Sequence, residues 1–356
     1  MPRFQYDYTK LKYFCRYGTI FKSELPLINL KDPVASAKLL SALRDWGFTY
    51  VTGHDVPFDV IENAYHQNKK FFDLAPRVKR DAKADRSRAT KTARGYTNAN
   101  EEQLDLSPSG KPDIKEVFDV GYIDKSAGGN VRHYLGSNKW PKTEKTNGGR
   151  GRRDTTEEME NAITVYASHA SRLARILMSL TFKELECERK LDEIFGPDAL
   201  QVQRLTRYPP LSVVHQKEAG QIGAGVHSDY GGITILSAKG TGLFILKQNR
   251  TSNIVDKGTF SDELEVPNSN EWIEVPSFNG TFIAMAGESL QRLSNGQIYA
   301  VKHKVELPES QPRYSLAFFY DPNPVTTVRP MDCTMKNTSP LYNAKIAGHK
   351  GVVKMK

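Results

Sequence analysis

The chain has 356 residues, a length that fits one large domain or two small ones. Hydrophobic residues make up 38% of it and charged residues 26%, proportions that exclude a disordered, collagen-like or membrane-spanning chain. The formal net charge of +9 leaves three kinds of anionic partner open: nucleic acid, a lipid surface or an acidic small molecule.

The cysteines and the N-terminal sequence indicate the cellular compartment in which we expect the protein. No apolar stretch of a secretory signal opens the chain, and no apolar run approaches the roughly 20 residues that cross a bilayer. Cys15, Cys187 and Cys333 are odd in number and far apart, which argues against a disulfide framework and against a cysteine-based zinc site. We therefore expect a cytoplasmic protein that does not bind membranes.

The first part of the chain alternates β-like runs with helical patterns. A β-like run at residues 25–30 precedes a predicted helix at 32–46, and a second run at 48–52 precedes a predicted helix at 58–74. We expect residues 1–150 to form an α/β section that packs on the remainder of the chain and covers its mouth.

Three polar segments interrupt these patterns. Residues 77–94 are rich in lysine and arginine, which is typical of a solvated basic surface; a lid or groove that contacts an anion is the alternative. We predict a loop at residues 142–153 and a polar loop between two strands at residues 249–270.

The second part, residues 151–356, begins with a helix and continues with short strands. The capping box Thr155-x-x-Glu158 starts an apolar stripe that continues to Leu180 at helical spacing. Short β-like runs follow at residues 200–208, 232–238, 242–248, 271–275, 281–285 and 313–320. Many short strands at close spacing predict an α+β protein with a double-stranded β-helix, or jelly-roll, core and flanking helices.

The most informative residues are His227, Asp229 and His303. On a strand, residues two apart face the same side, so His227 and Asp229 can bind one ion together, and His303 can add a third ligand from a neighbouring strand. Two histidines and one carboxylate are the ligand set of non-haem Fe(II) oxygenases, whereas catalytic zinc more often has three histidines or two histidines and a glutamate.

A second group of residues suits a carboxylate. Arg313 and Ser315 are two residues apart on a predicted strand, and a guanidinium beside a hydroxyl can hold a carboxylate by charge-assisted hydrogen bonds. On the strand at 200–208, Arg204 and Tyr208 are expected to point inward as well. The sequence thus predicts a cup with iron at one end and a carboxylate clamp at the other.

At this point the chain resembles the 2-oxoglutarate/Fe(II)-dependent dioxygenases, in their isopenicillin N synthase-like branch. The resemblance covers most of the chain. Its blocks, in chain order, are Arg94-Gly-Tyr96, Asp113-Ile-Lys-Glu-Val-Phe-Asp119, Arg207-Tyr-Pro-Pro, Val226-His-Ser-Asp-Tyr-Gly, Gly287-Glu-Ser-Leu-Gln-Arg, Lys302-His-Lys-Val and Arg313-Tyr-Ser315.

The resemblance implies that both parts form one catalytic unit and that Fe(II) is held by His227, Asp229 and His303. It implies that Arg313, Ser315 and Tyr208 hold 2-oxoglutarate, with O2 as the second co-substrate and ascorbate as the reductant. The expected reaction oxidises a C–H bond of a small specialised metabolite or amino-acid derivative by hydroxylation, desaturation or cyclisation, and releases succinate and CO2.

The candidates for substrate contact are Arg94, Tyr96, Phe118, Arg204, Tyr230 and Phe319. Arg94 and Arg204 are the candidates for binding an anionic substrate. Three alternatives stay open: a 2-oxoglutarate-independent iron oxidase of the same fold, a nucleic-acid demethylase and a non-enzymatic binding protein. We expect a monomer that binds no nucleic acid, because no base-stacking or groove-reading motif is present.

Overall fold

The computed structural model describes residues 25–84, 94–122, 137–142, 155–214, 218–247, 271–335, 339–342 and 345–346. The expected loop at 249–270 lies outside these residues, as do all but the first residue of the 142–153 segment and residues 85–93 of the basic segment. The described helices are α1 (Ala35–Asp45), α2 (Phe58–Phe72), α3 (Pro76–Asp81), α4 (Thr155–Glu184), α5 (Glu188–Phe195) and α6 (Glu288–Leu293). None of them is both long enough and apolar enough to traverse a bilayer.

A large sheet carries most of the strands. Its members are β1 (Leu27–Asn29), β2 (Phe48–Thr52), β3 (Gly95–Thr97), β4 (Glu116–Tyr122), β5 (Leu200–Tyr208), β7 (Ile233–Lys239), β10 (Phe282–Ala286) and β12 (Arg313–Asp321). Their order is β1-β2-β10-β7-β12-β5-β4-β3, and every pairing is antiparallel except that of β1 with β2. Strands from both parts of the chain therefore share one sheet.

A smaller sheet faces the large one. It consists of β6 (Ala224–His227), β8 (Leu243–Lys247), β9 (Glu271–Glu274) and β11 (His303–Val305), in the order β6-β11-β8-β9. A third pair, β13 (Thr327–Val328) with β14 (Lys345–Ile346), lies apart from both. The two main sheets have the layout of the expected jelly roll, although the described strands do not close into a barrel.

Each face of the large sheet packs on a different partner, because successive side chains of a strand point to opposite faces. One face meets the helices in a core that includes Leu43, Phe71, Leu177 and Phe318. The other face meets the smaller sheet in a second core. The stripe predicted on the long helix is confirmed, since α4 buries Ile163, Tyr166, Ala170, Leu173 and Leu177.

The basic segment is not wholly solvated, which differs from the expectation. Lys79 of α3 is buried, and its ammonium donates to the Glu116 carboxylate at 2.6 Å. Glu116 also accepts from the Tyr96 hydroxyl and from Arg207, so three donors converge on this carboxylate. Burial alone would raise the pKa of Glu116, but the hydrogen bonds from Lys79 and Tyr96 lower it below its usual range.

We expect this carboxylate to stabilise the fold in a pH-dependent way. A carboxyl group whose pKa is lowered by folding contributes stability above its unfolded pKa and loses it as the pH falls. The difference in melting temperature between the native protein and Glu116→Gln should therefore be largest at neutral pH and shrink below pH 4.5. Glu193→Gln, at an exposed ion pair, is the control; an equal pH profile for both variants would contradict the expectation.

One disulfide is present, although the number and spacing of the cysteines argue against a disulfide framework. Cys187 and Cys333 form a disulfide with their Cα atoms 5.8 Å apart, although 146 residues separate them along the chain. Distance in sequence does not limit contact in space, and the bond ties the turn before α5 to the segment that follows β13. The cytoplasmic compartment stays a prediction.

The disulfide should be measurable in the folded protein. Replacing Cys187 and Cys333 together by serine is expected to lower the free energy of unfolding by about 2–4 kcal/mol, since the bond closes a long loop. Denaturant unfolding measures the change, and Cys15→Ser serves as the control. Peptide mapping without reductant that finds both thiols free would contradict the assignment.

Candidate metal and co-substrate site

His227 and His303 are direct neighbours across two strands. His227 ends β6, His303 begins β11, and the antiparallel register pairs them. Residues directly opposite in such a pair point to the same face. Their ring centroids are accordingly 4.1 Å apart, which brings two imidazole ligands together.

Asp229 completes the group from the loop that follows β6, two residues beyond the end of the strand. The sequence predicts Asp229 on the same strand as His227, whereas in the structure it lies just beyond the end of that strand. Its Oδ1 atom lies 3.9 Å from Nε2 of His227 and 3.8 Å from Nε2 of His303. Within the described ranges these three side chains are the group whose ligand atoms all lie within 4.8 Å of one another.

Hydrogen bonds orient all three side chains. The Nδ1 atoms of His227 and His303 bond to the carbonyl oxygens of Gly225 at 2.7 Å and of Val301 at 3.1 Å. Each Nδ1 therefore carries the proton, so that Nε2 presents a lone pair to a metal. Burial, and then the neighbouring His303, hold the pKa of His227 well below its usual value, which keeps the ring neutral.

The Asp229 carboxylate has its own orienting contact. Its Oδ2 accepts a hydrogen bond from the Thr234 hydroxyl of β7, which leaves Oδ1 facing the two imidazoles. Two neutral imidazoles and one carboxylate oxygen are the donor set that suits Fe(II). The residues present thus fit a non-haem iron ion.

We expect Thr234→Val to weaken metal binding. The substitution keeps the shape of the side chain and removes the donor to Asp229, and such outer partners are commonly worth about 10–100-fold in metal affinity. Fe(II) titration under nitrogen measures the effect. Thr234→Ser, which restores the hydroxyl, should bind as the native protein does; equal loss in both variants would point to packing instead.

Arg313 lies in the same cavity as the three metal-binding candidates. It is 1% exposed, and its Nε and Nη2 atoms have no hydrogen-bond partner. The register pairs it with Tyr208, and its guanidinium lies 5.0 Å from the centre of the tyrosine ring. Ser315, two residues along β12, also lines the cavity. A buried unpaired cation flanked by two hydroxyl groups fits the far carboxylate of 2-oxoglutarate.

Arg204 also lines the cavity, but its hydrogen bonds are taken. Its Nε and Nη2 atoms each donate to Asp119 at 2.8 Å, and Nη1 and Nη2 donate to Glu102 at 3.2 Å. Lys115 shares Glu102 and pairs with Asp113, both at 2.9 Å. The structure therefore does not present Arg204 as a free anion-binding side chain. Its partners could not be found from the sequence, because Glu102 is 102 residues away.

The remaining candidates for substrate contact do not all lie on the same face of the large sheet. Tyr96 and Phe118 are paired across β3 and β4, and both lie in the core on the helix side of the sheet. The structure does not bring them to the cavity, because register decides the face and the sequence does not fix register. Phe319 lines the cavity, and Tyr230 is 42% exposed one residue beyond Asp229. Arg94 is buried beside β4.

A jelly-roll core that holds two histidines and a carboxylate beside a buried arginine defines the class of non-haem iron oxygenases. Comparison with known families agrees. The 2OG-Fe(II) oxygenase superfamily matches residues 197–322, and the family described as non-haem dioxygenase in morphine synthesis N-terminal matches residues 25–143. The chain belongs to the 2OG-Fe(II) oxygenase superfamily. It is a 2-oxoglutarate-dependent dioxygenase that uses Fe(II), which confirms the resemblance seen in the sequence.

Two curated relatives cover most of the chain. Homoarginine-6-hydroxylase 2-ODD-C23.1 of Arabidopsis thaliana is 29% identical over 304 residues, which are 84% of this chain and 80% of the relative. Clavatol oxidase claD of Penicillium crustosum is 26% identical over 332 residues, which are 86% of this chain and 88% of that protein.

Two solved structures share the fold. A full-length Neurospora crassa protein in complex with alpha-KG and thymine superposes with a TM-score of 0.69 at 23% identity, over 92% of this chain and 95% of its own. JOX2 in complex with 2OG, Fe and JA superposes with a TM-score of 0.70 at 24% identity, over 91% of this chain and 82% of its own. The expected jelly-roll fold is confirmed.

Proposed function

We propose that the protein oxidises a C–H bond of a small specialised metabolite or amino-acid derivative, by hydroxylation, desaturation or oxidative cyclisation. The observation that carries the proposal is a cavity shared by the metal ligand set and Arg313, whose Nε and Nη2 atoms have no hydrogen-bond partner. The names of curated relatives support a small substrate, since they include a homoarginine hydroxylase and a clavatol oxidase.

In this proposal each residue has a defined role. His227, Asp229 and His303 hold Fe(II), and their fixed hydrogen bonds keep the imidazoles neutral and the carboxylate oxygen aimed at the ion. Arg313, Ser315 and Tyr208 orient 2-oxoglutarate by its far carboxylate. When bound, iron, 2-oxoglutarate and O2 would supply the oxidising power: one oxygen atom would enter the keto acid as it loses CO2 and becomes succinate, and the other would go to the substrate or to water. Phe319 forms part of the wall against which the substrate lies.

We also propose that residues 1–150 and 151–356 act as one unit. Support comes from β1 to β4, which join strands of the second part in one sheet, and from Glu102 and Asp119, which pair with Arg204 of β5. The monomeric state and the absence of a nucleic-acid partner stay predictions.

A substrate screen tests the proposed function. The purified protein is incubated with Fe(II), ascorbate, O2 and 2-oxoglutarate, together with pools of amino-acid derivatives and specialised metabolites. Succinate is measured, and mass spectrometry of the pool identifies a product that gains oxygen or loses hydrogen. Stimulation by a small molecule is expected. Succinate formation that responds only to methylated oligonucleotides or to a protein would contradict the proposal.

A further inference from the structure

Arg94 is buried against a glycine of the large sheet. The residue immediately precedes β3 and is 4% exposed. Its guanidinium covers Gly121 of β4 so closely that a Cβ atom at that position would overlap with Nη1. Asn138 fixes this stretch of β4 by bonding both the amide and the carbonyl of Gly121, at 2.8 and 3.1 Å. Only glycine leaves room for the arginine.

The guanidinium is not satisfied by the protein around it. Nη1 of Arg94 is buried and has no hydrogen-bond partner. The nearby carboxylate of Asp119 attracts the charge, but both of its oxygens already accept from Arg204. Burial lowers the pKa of Arg94 to about 10, so the side chain is still protonated at neutral pH. A buried donor without an acceptor costs free energy that a ligand oxygen would recover.

A row of cross-strand pairs connects this arginine with the metal site. Gly121 is opposite Val202, Val202 is opposite Phe319, and Phe319 is opposite Thr234. Opposite residues share a face, so these positions form one line across the sheet. The line runs from Thr234, which donates to Asp229, to Gly121, which lies under Arg94.

The length and polarity of this row limit the kind of molecule that fits along it. Neighbouring strands are about 4.8 Å apart, so three steps separate Gly121, which lies under Arg94, from Thr234 by roughly 14 Å. Val202 and Phe319, the two side chains between the ends, are apolar and only partly buried. The row therefore has an apolar middle, a metal site at one end and an unpaired cationic donor at the other.

We propose that Arg94 binds an oxygen acceptor of the substrate, a carboxylate or a carbonyl group, at the end remote from the oxidised carbon. The inference rests on the proposed function and narrows its substrate class. The substrate would have an apolar body and a terminal acceptor, separated from the reacting C–H bond by up to three strand spacings, or roughly 14 Å. Arg204, whose donors are engaged by Asp119 and Glu102, does not have this role.

The test measures binding without turnover. A library of aryl and alkyl carboxylic acids, each with its matched primary amide and alcohol, is titrated under nitrogen into protein loaded with Fe(II) and 2-oxoglutarate. In the native protein the best acid or amide should bind at least about tenfold more tightly than its alcohol, as expected for a charge-assisted hydrogen bond. Arg94→Met should remove this preference, and Arg94→Lys should retain part of it. Arg175→Met, at an exposed ion pair, is the control.

The outcomes separate the inference from the proposed function. Unchanged affinity for 2-oxoglutarate shows that each variant is folded, and Gly121→Ala, which forces the guanidinium aside, supplies a second route to the same loss. If only the acids bind more tightly than the alcohols, the substrate group at Arg94 is a carboxylate. If acids and amides bind equally tightly, it is a carbonyl group. A preference that survives Arg94→Met, or no preference in the native protein, overturns the inference. The proposed function is tested separately: it fails if no small molecule stimulates succinate formation by the native protein.

Discussion

Asp229→Ala is expected to abolish conversion of 2-oxoglutarate and to weaken Fe(II) binding by at least about 100-fold. Loss of an outer hydrogen-bond partner alone costs about 10–100-fold, and this variant removes the ligand itself. Asp229 supplies the negative charge among the three metal-binding side chains, and its Oδ1 lies within 3.9 Å of both imidazole nitrogens. Anaerobic iron titration and a succinate assay measure the two effects separately.

Ser228→Ala is the matched control for this variant. Ser228 lies between His227 and Asp229, but its hydroxyl turns away from the site and donates to Glu288 at 2.7 Å. We expect its iron affinity and its turnover to stay within about twofold of the native values, because surface substitutions change little. Native iron affinity in Asp229→Ala would show that the three residues are not the metal site.

Arg313→Met should raise the KM for 2-oxoglutarate by at least about 100-fold. A charge-assisted hydrogen bond contributes about 1.5–3 kcal/mol, and the buried guanidinium can make two of them to one carboxylate. Iron binding should change little, because Arg313 is not one of the three metal-binding side chains. The KM is measured with saturating substrate once one is known, and by uncoupled succinate formation before that.

The same variant should be more stable than the native protein when no 2-oxoglutarate is present. Arg313 is a buried cation with unpaired Nε and Nη2 atoms, and an apolar side chain of similar size removes that cost. We expect a gain of about 1–3 kcal/mol in the free energy of unfolding. Addition of 2-oxoglutarate should stabilise the native protein and leave Arg313→Met unchanged. Stabilisation of both by 2-oxoglutarate would place its carboxylate elsewhere.

The sequence was sufficient to predict the chemistry of the site, because that chemistry depends on residue types at short spacing. His227 and Asp229 are two residues apart, and so are Arg313 and Ser315, so each pair is recognisable without knowing the fold. The pairing of His227 with His303 depends on the register of β6 and β11. It could be expected from the family resemblance but not worked out from the intervening residues.

Contacts between distant segments could not be predicted in the same way. The sequence leaves Arg204 as a candidate for substrate binding, whereas in the structure Glu102 and Asp119 engage its donors. Thr234 orients Asp229, yet nothing in its sequence neighbourhood distinguishes it from any other threonine on a strand. Tyr96 and Phe118 lie on the helix side of the sheet, because strand register places them there.

The net charge of the chain also has a local explanation. Several cations near the cavity are already neutralised by buried carboxylates, as Lys115 is by Glu102 and Asp113. Among the described residues, two arginines retain unpaired buried donors at this face of the sheet, Arg313 in the cavity and Arg94 over Gly121. The overall positive charge therefore says less about a partner than these two side chains do.

Release of labelled CO2 from 2-oxoglutarate carrying carbon-14 at its first carbon tests the central claim most directly. The assay follows decarboxylation of the co-substrate and needs no knowledge of the substrate. Native protein with Fe(II) and O2 should release label, Ser228→Ala should match it, and Asp229→Ala should release none above background. Release that is equal in the native protein and in Asp229→Ala would contradict the assignment of this cavity as the iron and 2-oxoglutarate site.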